Sequence, residues 1–298
     1  MRGPAELPGF EERIVDVRAV RMRALVGGEG PPLVLVHGLT GAATNFVELA
    51  PLLARRFRVL VPELPGHGGS APLPAAPNLD AFAERVRGVA AAEGMLPASF
   101  VGHSLGALVS LRLAMRRPED VRGLVLAGAA GIASATRWAE FWLTFFGRLQ
   151  LGRRIAPHRE LVARRPRLRY LAFGYWGASD PGALSARQVD GFLAGPERHS
   201  DTWSAMQVLV QDDPRLDLER VRCPVLVLWG ARDRQVPIDD AFEYARRLRA
   251  QLRTIADCGH LLVGERPHAC AHAIAEFLAA LDGVRKLDEL PLEVEPLR

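Results

Sequence analysis

The sequence predicts an α/β fold, a mostly parallel sheet flanked by helices and interrupted late in the chain by a helical insertion. Three observations carry this expectation. Short Val/Leu runs ending in glycine recur along the chain, segments of helical periodicity lie between them, and the alternation stops between about residues 133 and 216 before it resumes. Continuous branched apolar runs suit strands buried on both faces, as in a parallel sheet held between two layers of helices.

Taken in order, Ile14 to Val26 sets Val15, Val17, Val20, Met22 and Leu25 among polar residues, predicting a partly exposed antiparallel pair at one edge. PLVLVHG at 32–38, FRVLVPELPGHG at 57–68, ASFVGHSLG at 98–106, VRGLVLAGAAG at 121–131 and PVLVLWGARD at 224–233 predict buried strands, and Leu252 to Ala256 a last one. Leu79 to Ala92 and Leu105 to Arg116 have helical periodicity, the second stopped by Pro118.

From about 133 to 216 the chain reads as helices rich in aromatics, Trp138, Phe141, Trp142, Phe145, Phe146, Tyr170, Phe173, Tyr175, Trp176, Phe192 and Trp203, with Gly and Pro at 174–182 and 195–196 marking turns. Most are expected to form the insertion's own core and the rest to line a substrate pocket, for which Trp138, Phe141, Trp142, Phe145 and Trp203 are candidates, together with His37, Val236 and Leu261. The predicted organisation is a discontinuous core, 1–132 and 217–298, around an insertion at 133–216. The charged, Pro-punctuated tail from Gly283 reads as a surface extension.

With 298 residues and 49% hydrophobic content, the chain can fill one large core with a smaller insertion. The formal charge of +4 comes almost wholly from arginine, Lys286 being the only lysine. The densest basic run, Arg153 to Arg169, is interleaved with Pro157, Pro166 and apolar residues and reads as a solvated helix face rather than an anion site, so no nucleic-acid partner is expected. Cys223, Cys258 and Cys270 are odd in number and lack C-x-x-C spacing, which argues against a disulfide framework and a zinc site. Together with an opening segment that lacks a signal peptide's apolar stretch, this leads us to expect a cytoplasmic location. The greasiest stretch, Phe141 to Phe146, is too short to span a membrane; an interfacial role for Trp138 to Phe146 is a minor alternative.

The sharpest local signal is Gly102-His103-Ser104-Leu105-Gly106, a G-x-S-x-G sequence between a predicted strand and a predicted helix. Such a turn lifts the serine hydroxyl above the sheet, beside the free N–H groups of a helix N-terminus. Taken alone, Ser104 could equally cap the following helix. A serine nucleophile needs a base and a group to orient that base. Asp233 follows the strand run Val225 to Trp229, where it could also be a loop cap before a helix starting at Ile238, and His260 follows the last predicted strand. His158, His199, His268 and His272 are expected at the surface, and His103 beneath the turn as a packing residue.

With HGLTG at 37–41, PGHGGS at 65–70, GHSLGA at 102–107, GARDRQVP at 230–237 and CGHLLVGERP at 258–267, the chain resembles the α/β-hydrolase superfamily over about residues 12 to 281. The similar branch is the serine-nucleophile one with a helical cap. The resemblance implies an eight-stranded sheet with the cap inserted after the sixth strand, and a catalytic triad of Ser104, Asp233 and His260. It also implies an oxyanion hole from the backbone N–H groups of Leu39 and Leu105, with His37-Gly38 shaping the turn after a central strand. Glu63 stands where many members carry aspartate, at a position that is structural in the family.

The implied activity is hydrolysis of a small-molecule carboxylic ester or lactone with an apolar acyl group through an acyl-enzyme, with no metal and no organic cofactor. Cleavage of a carbon–carbon bond in a vinylogous β-keto acid, acyl transfer to another acceptor, and a receptor-like member with little turnover are the alternatives. Serine in the nucleophile position argues against dehalogenase and epoxide hydrolase chemistry, which use aspartate there.

Overall fold

The computed structural model describes residues 7–74, 77–130, 154–174, 177–211, 217–281 and 283. Eight strands form one sheet: β1 (Phe10–Val17), β2 (Val20–Gly27), β3 (Pro32–Val36), β4 (Arg58–Pro62), β5 (Ala98–His103), β6 (Val121–Ala127), β7 (Val225–Gly230) and β8 (Gln251–Ile255). Their order is β1-β2-β4-β3-β5-β6-β7-β8, antiparallel at β1/β2 and β2/β4 and parallel elsewhere. The expected mostly parallel, eight-stranded sheet is therefore present. β2 departs from the expected partly exposed edge: it pairs with β4 as well as β1, so only Arg21 faces solvent fully and even Arg23 is buried.

Helices cover both faces. α1 (Leu49–Leu53) lies on the face opposite α2 (Leu79–Ala92) and α3 (Leu105–Arg116). α2 forms where its pattern predicts: Asn78 accepts a hydrogen bond from the Ala81 N–H as N-cap, and Leu79, Phe82, Val86 and Val89 form the buried stripe. Between β6 and β7 the described elements are helical: α4 (Arg159–Arg164), α5 (Pro166–Phe173), α6 (Ala186–Ala194) and α7 (Thr202–Gln211). Trp138, Phe141, Trp142 and Phe145 lie outside the described residues, as does the tail beyond 283. α8 (Ile238–Leu248) joins α2 and α3, while α9 (Leu262–Glu265) and α10 (Pro267–Leu281) lie on the α1 side. Asp239 and Asp240 in the first turn of α8 and Arg246 and Arg247 in its last complement the helix dipole.

The topology fixes where a site can form. From β3 the chain steps outward to β4 and then returns to β5 on the other side of β3, so the loops after β3 and β5 diverge at the carboxyl ends of adjacent parallel strands, where such sheets hold their ligands. Those loops are HGLTG and GHSLG.

Candidate active site

Ser104 sits on the turn between β5 and α3 with φ 53° and ψ −116°, a left-handed conformation that a residue with a Cβ adopts only when its surroundings enforce it. The surroundings do so by close approach of backbone. A Cβ on Gly102 would come within 2.3 Å of the Gly106 carbonyl oxygen, and one on Gly106 within 2.1 Å of the Val36 carbonyl oxygen, so both flanking glycines are required. The Ser104 N–H donates to the Ala127 carbonyl at 2.9 Å, fixing the turn to β6. The side chain makes no capping hydrogen bond, so the helix-cap alternative is not realised.

The carboxyl ends of β7 and β8 deliver Asp233 and His260. Asp233 Oδ2 accepts from His260 Nδ1 at 2.8 Å, and Oδ1 accepts from the N–H groups of Gln235 and Val236 at 2.8 and 2.9 Å. Asp233 thus both orients the imidazole and organises its own loop, uniting the two sequence readings. With the Nδ1 proton held by Asp233, the Nε2 lone pair of His260 remains available as a base. His260 is tied to the serine turn through its backbone: its carbonyl accepts from His103 Nε2 at 2.8 Å, and the two rings lie 5.1 Å apart. His103 therefore packs beneath the turn as expected; burial, with His260 nearby, lowers its pKa to about 3 and keeps it neutral. Glu265 braces the histidine loop from behind, accepting from the N–H groups of Gly259 at 2.7 Å, Ser179 at 2.8 Å and Asp180 at 3.0 Å.

The loop after β3 passes beside the serine, a Cβ on Gly38 being only 3.1 Å from Ser104 Cβ. The Gly38 carbonyl accepts from His37 Nδ1 at 2.9 Å and from the Gly41 N–H at 3.0 Å. Because the peptide is trans, the Leu39 N–H points the opposite way, out of the loop. Leu105, the first residue of α3, has an N–H without an intrahelical acceptor, so the two predicted oxyanion donors belong to segments adjoining the serine.

His37 needs correction as a pocket residue. It is fully buried and both nitrogens are used, Nε2 accepting from the Leu64 N–H at 3.0 Å, so it braces the loop instead of facing a ligand. Burial lowers its pKa to about 3. Val236 is buried in the core cluster that contains Leu105, Leu261 is half-buried against Gly177, and Trp203 on α7 is more than a third exposed. His199, expected at the surface, is half-buried: Nδ1 accepts from the Gly68 N–H at 2.9 Å, and Nε2 donates to the Thr40 carbonyl at 2.8 Å. Its partners lie over a hundred residues away, beyond the reach of any local pattern. The buried Arg23–Glu63 pair, at 3.1 Å, was also missed. Glu63 accepts from the N–H groups of Ala43 at 3.3 Å and Gly69 at 2.6 Å, linking the loops after β3 and β4.

Residues 31–267 of the sequence match the family model of the alpha/beta hydrolase fold. The chain belongs to the α/β-hydrolase family. This α/β-hydrolase is 34% identical over 214 residues to a pimeloyl-[acyl-carrier protein] methyl ester esterase of Chromobacterium violaceum, covering 71% of this chain and 79% of that one. It is 29% identical to a 2-hydroxymuconate semialdehyde hydrolase of Pseudomonas sp. (strain CF600), over 95% and 98% of the two lengths. Among solved structures, a bacterial membrane phospholipase A superposes with a TM-score of 0.73 at 26% identity, over 93% of this chain and 88% of that one. As an α/β-hydrolase the protein is a hydrolytic enzyme. No helix of the described residues is long and apolar enough to cross a membrane.

Proposed function

We propose that this α/β-hydrolase cleaves a carboxylic ester or lactone with an apolar acyl group through an acyl-enzyme on Ser104. The observation that carries this reading is the strained turn: Ser104 is held at φ 53° by backbone packed too closely for anything but glycine at 102 and 106. Strain of this kind is kept where a side chain must be presented to a reacting group. In the proposed first step, His260 Nε2 takes the Ser104 proton as Oγ attacks the carbonyl, and Asp233 holds the ring and stabilises the imidazolium. The tetrahedral oxyanion is met by the N–H groups of Leu39 and Leu105, each such donor contributing about 3 kcal/mol. The imidazolium protonates the departing alkoxide. Water, deprotonated by His260, then attacks the acyl-enzyme, and collapse returns the proton to Ser104 and frees the acid.

Residues 133–216 we assign to a cap over this site. Support comes from the loops they touch: Thr44 Oγ1 donates to the Gly191 carbonyl, Glu48 accepts from Ser185 and Gln188, and Leu261 donates its N–H to the Gly177 carbonyl. The pocket aromatics would come from this cap. Cytoplasmic location fits the three cysteines, Cys223, Cys258 and Cys270, all of them free thiols.

The test is hydrolysis of p-nitrophenyl esters from acetate to laurate by the wild type and Ser104→Ala. Turnover that peaks with a medium acyl chain and vanishes in the variant supports the assignment; equal turnover of acetate and octanoate esters removes the apolar acyl group from it. Carbon–carbon hydrolysis of a vinylogous β-keto acid is the second reading, favoured by the end-to-end similarity to the 2-hydroxymuconate semialdehyde hydrolase. It takes precedence if no ester is hydrolysed while a fluorophosphonate still labels Ser104. Failure of Ser104 to label would point to the receptor-like alternative.

A further inference from the structure

Thr40 has φ 57°, a left-handed conformation costly for a β-branched residue, and both of its backbone polar groups are held by histidine rings. Its N–H donates to His67 Nε2 at 3.3 Å, and its carbonyl accepts from His199 Nε2 at 2.8 Å. The two rings meet edge-on at 5.0 Å, and His67 lies 5.2 Å from His37, which grips the neighbouring Gly38 carbonyl. Hydrogen-bonding roles fix the tautomers. His199 Nδ1 accepts from the Gly68 N–H, so its proton is on Nε2, facing Thr40. His67 Nδ1 faces the Pro65 carbonyl and carries the proton, leaving Nε2 as an acceptor. Of these rings, His37 and His67 belong to the loops after β3 and β4, whereas His199 comes from the helical segment between α6 and α7.

We propose that His199 is a positioning residue for the oxyanion loop: by holding the Thr40–Gly41 peptide at its carbonyl, the helical insertion fixes the loop that follows the Gly38–Leu39 peptide and hence the orientation of the Leu39 N–H. The inference rests on the assignment of that N–H to the oxyanion hole. It is separable from mere docking of the insertion, because neighbouring backbone docks independently. The N–H groups of Ser200 and Asp201 both donate to the Gly66 carbonyl, at 2.9 and 3.0 Å, and a Cβ on Gly66 would strike the Asp201 carbonyl oxygen at 2.2 Å. Loss of the His199 side chain therefore leaves this stretch seated while releasing Thr40. What is lost is one fixed point of a loop whose useful conformation is strained.

The imidazole can be divided by substitution. His199→Gln keeps a donor near the Nε2 position for the Thr40 carbonyl, His199→Asn keeps an acceptor near the Nδ1 position for the Gly68 N–H, and His199→Ala keeps neither. With a p-nitrophenyl ester, kcat is expected to fall about 10- to 100-fold in the Ala and Asn variants with KM little changed, the size of effect that a small misplacement of catalytic geometry produces. His199→Gln should recover most of it. A thermal midpoint that is the same for the Gln and Asn variants would confirm that stability does not account for the difference. An unchanged kcat in His199→Ala, equal losses in Gln and Asn, or a rise in KM that accounts for the whole effect overturns the proposal. If the wild type hydrolyses no ester, the same comparison is made on the rate at which a fluorophosphonate labels Ser104, since its developing oxyanion needs the same donors. If Ser104→Ala abolishes turnover and His199→Ala does not affect it, this inference alone falls; if wild-type Ser104 neither turns over ester nor labels, the functional reading falls with it.

Discussion

The two sides of the proposed site are braced by different chemistry. On the oxyanion side, the loops after β3 and β4 are braced by neutral imidazoles: His37 holds the Gly38 carbonyl and the Leu64 N–H, and His67 and His199 hold Thr40. On the proton-transfer side, carboxylates do most of the bracing: Asp233 grips His260 and its own loop, Glu265 gathers three N–H groups behind Gly259, and one neutral ring, His103, holds the His260 carbonyl. The division follows the charges expected during turnover. A carboxylate beside the developing oxyanion would oppose it, whereas the imidazolium that forms on His260 is stabilised by one. The anion that does lie beneath the oxyanion loop, Glu63, is paired with Arg23. Neutral braces keep the donors oriented without adding a field of the wrong sign.

The largest effect should come from the residue both sides serve. Ser104→Ala is expected to lower kcat about 10⁶-fold, measured by ester hydrolysis at saturating substrate. Asp233→Asn tests the carboxylate side alone: the amide can pair with the wrong imidazole tautomer, and kcat should fall about 10⁴-fold while Ser104 stays in place. A loss under tenfold would show that the carboxylate is not needed there. Glu63→Gln tests the Glu12–Arg23–Glu63 charge cluster on the histidine side. Arg23 keeps the half-exposed Glu12 carboxylate at 3.0 Å, so losing its fully buried partner should cost about 1–3 kcal/mol in denaturant unfolding, against little for an exposed pair such as Arg246–Glu243.

Acid probes what the two sides share, a buried neutral imidazole on each. His37 and His103 keep their lone pairs down to about pH 3 in the folded chain, while an unfolded histidine protonates near 6.5. Unfolding therefore takes up protons between these values; the stabilisation is complete above pH 6.5 and is lost as pH falls toward 3. Each residue should contribute a slope of about 1.4 kcal/mol per pH unit in that window, so unfolding at pH 5 should be easier by about 2 kcal/mol for each. Replacing His103 with Gln should flatten the slope by one proton; an unchanged slope would mean that the ring is already charged. The smallest effect is expected at Leu171, which is 82% exposed on α5: its change to Ser should move stability by less than about 0.5 kcal/mol and leave kcat unaltered.

The carboxylate side was far more legible in the sequence than the histidine side. Ser104, Asp233 and His260 each stand at the end of an apolar run, so their position above the sheet follows from strand periodicity and a local turn. The limits of α2 and α3 were readable for a similar reason, since Asn78 and Pro118 punctuate them within a few residues of the apolar stripe. His199 reads as a polar residue between helices, and its role depends on Thr40 and Gly68, which no window of sequence brings near it. The burial of Arg23 is not readable from the alternation of Ile14 to Val26, because the second neighbour of β2, β4, comes from a distant part of the chain. His37 is read from the sequence both as shaping the turn after a central strand and as a pocket candidate; its partners, backbone groups of two loops, fit the first of these.

The Arg23–Glu63 pair bears on how this domain can be cut and recombined. The family pattern starts at residue 31, yet the counter-charge for Glu63 is supplied from β2, before that point. A fragment or chimaera joined at residue 31 would keep every residue of the proposed triad and both oxyanion donors, but strand an anion beneath the loop that orients one of them. For grafting, the smallest portable unit of this enzyme therefore includes the antiparallel ribbon that the recognisable motif leaves out.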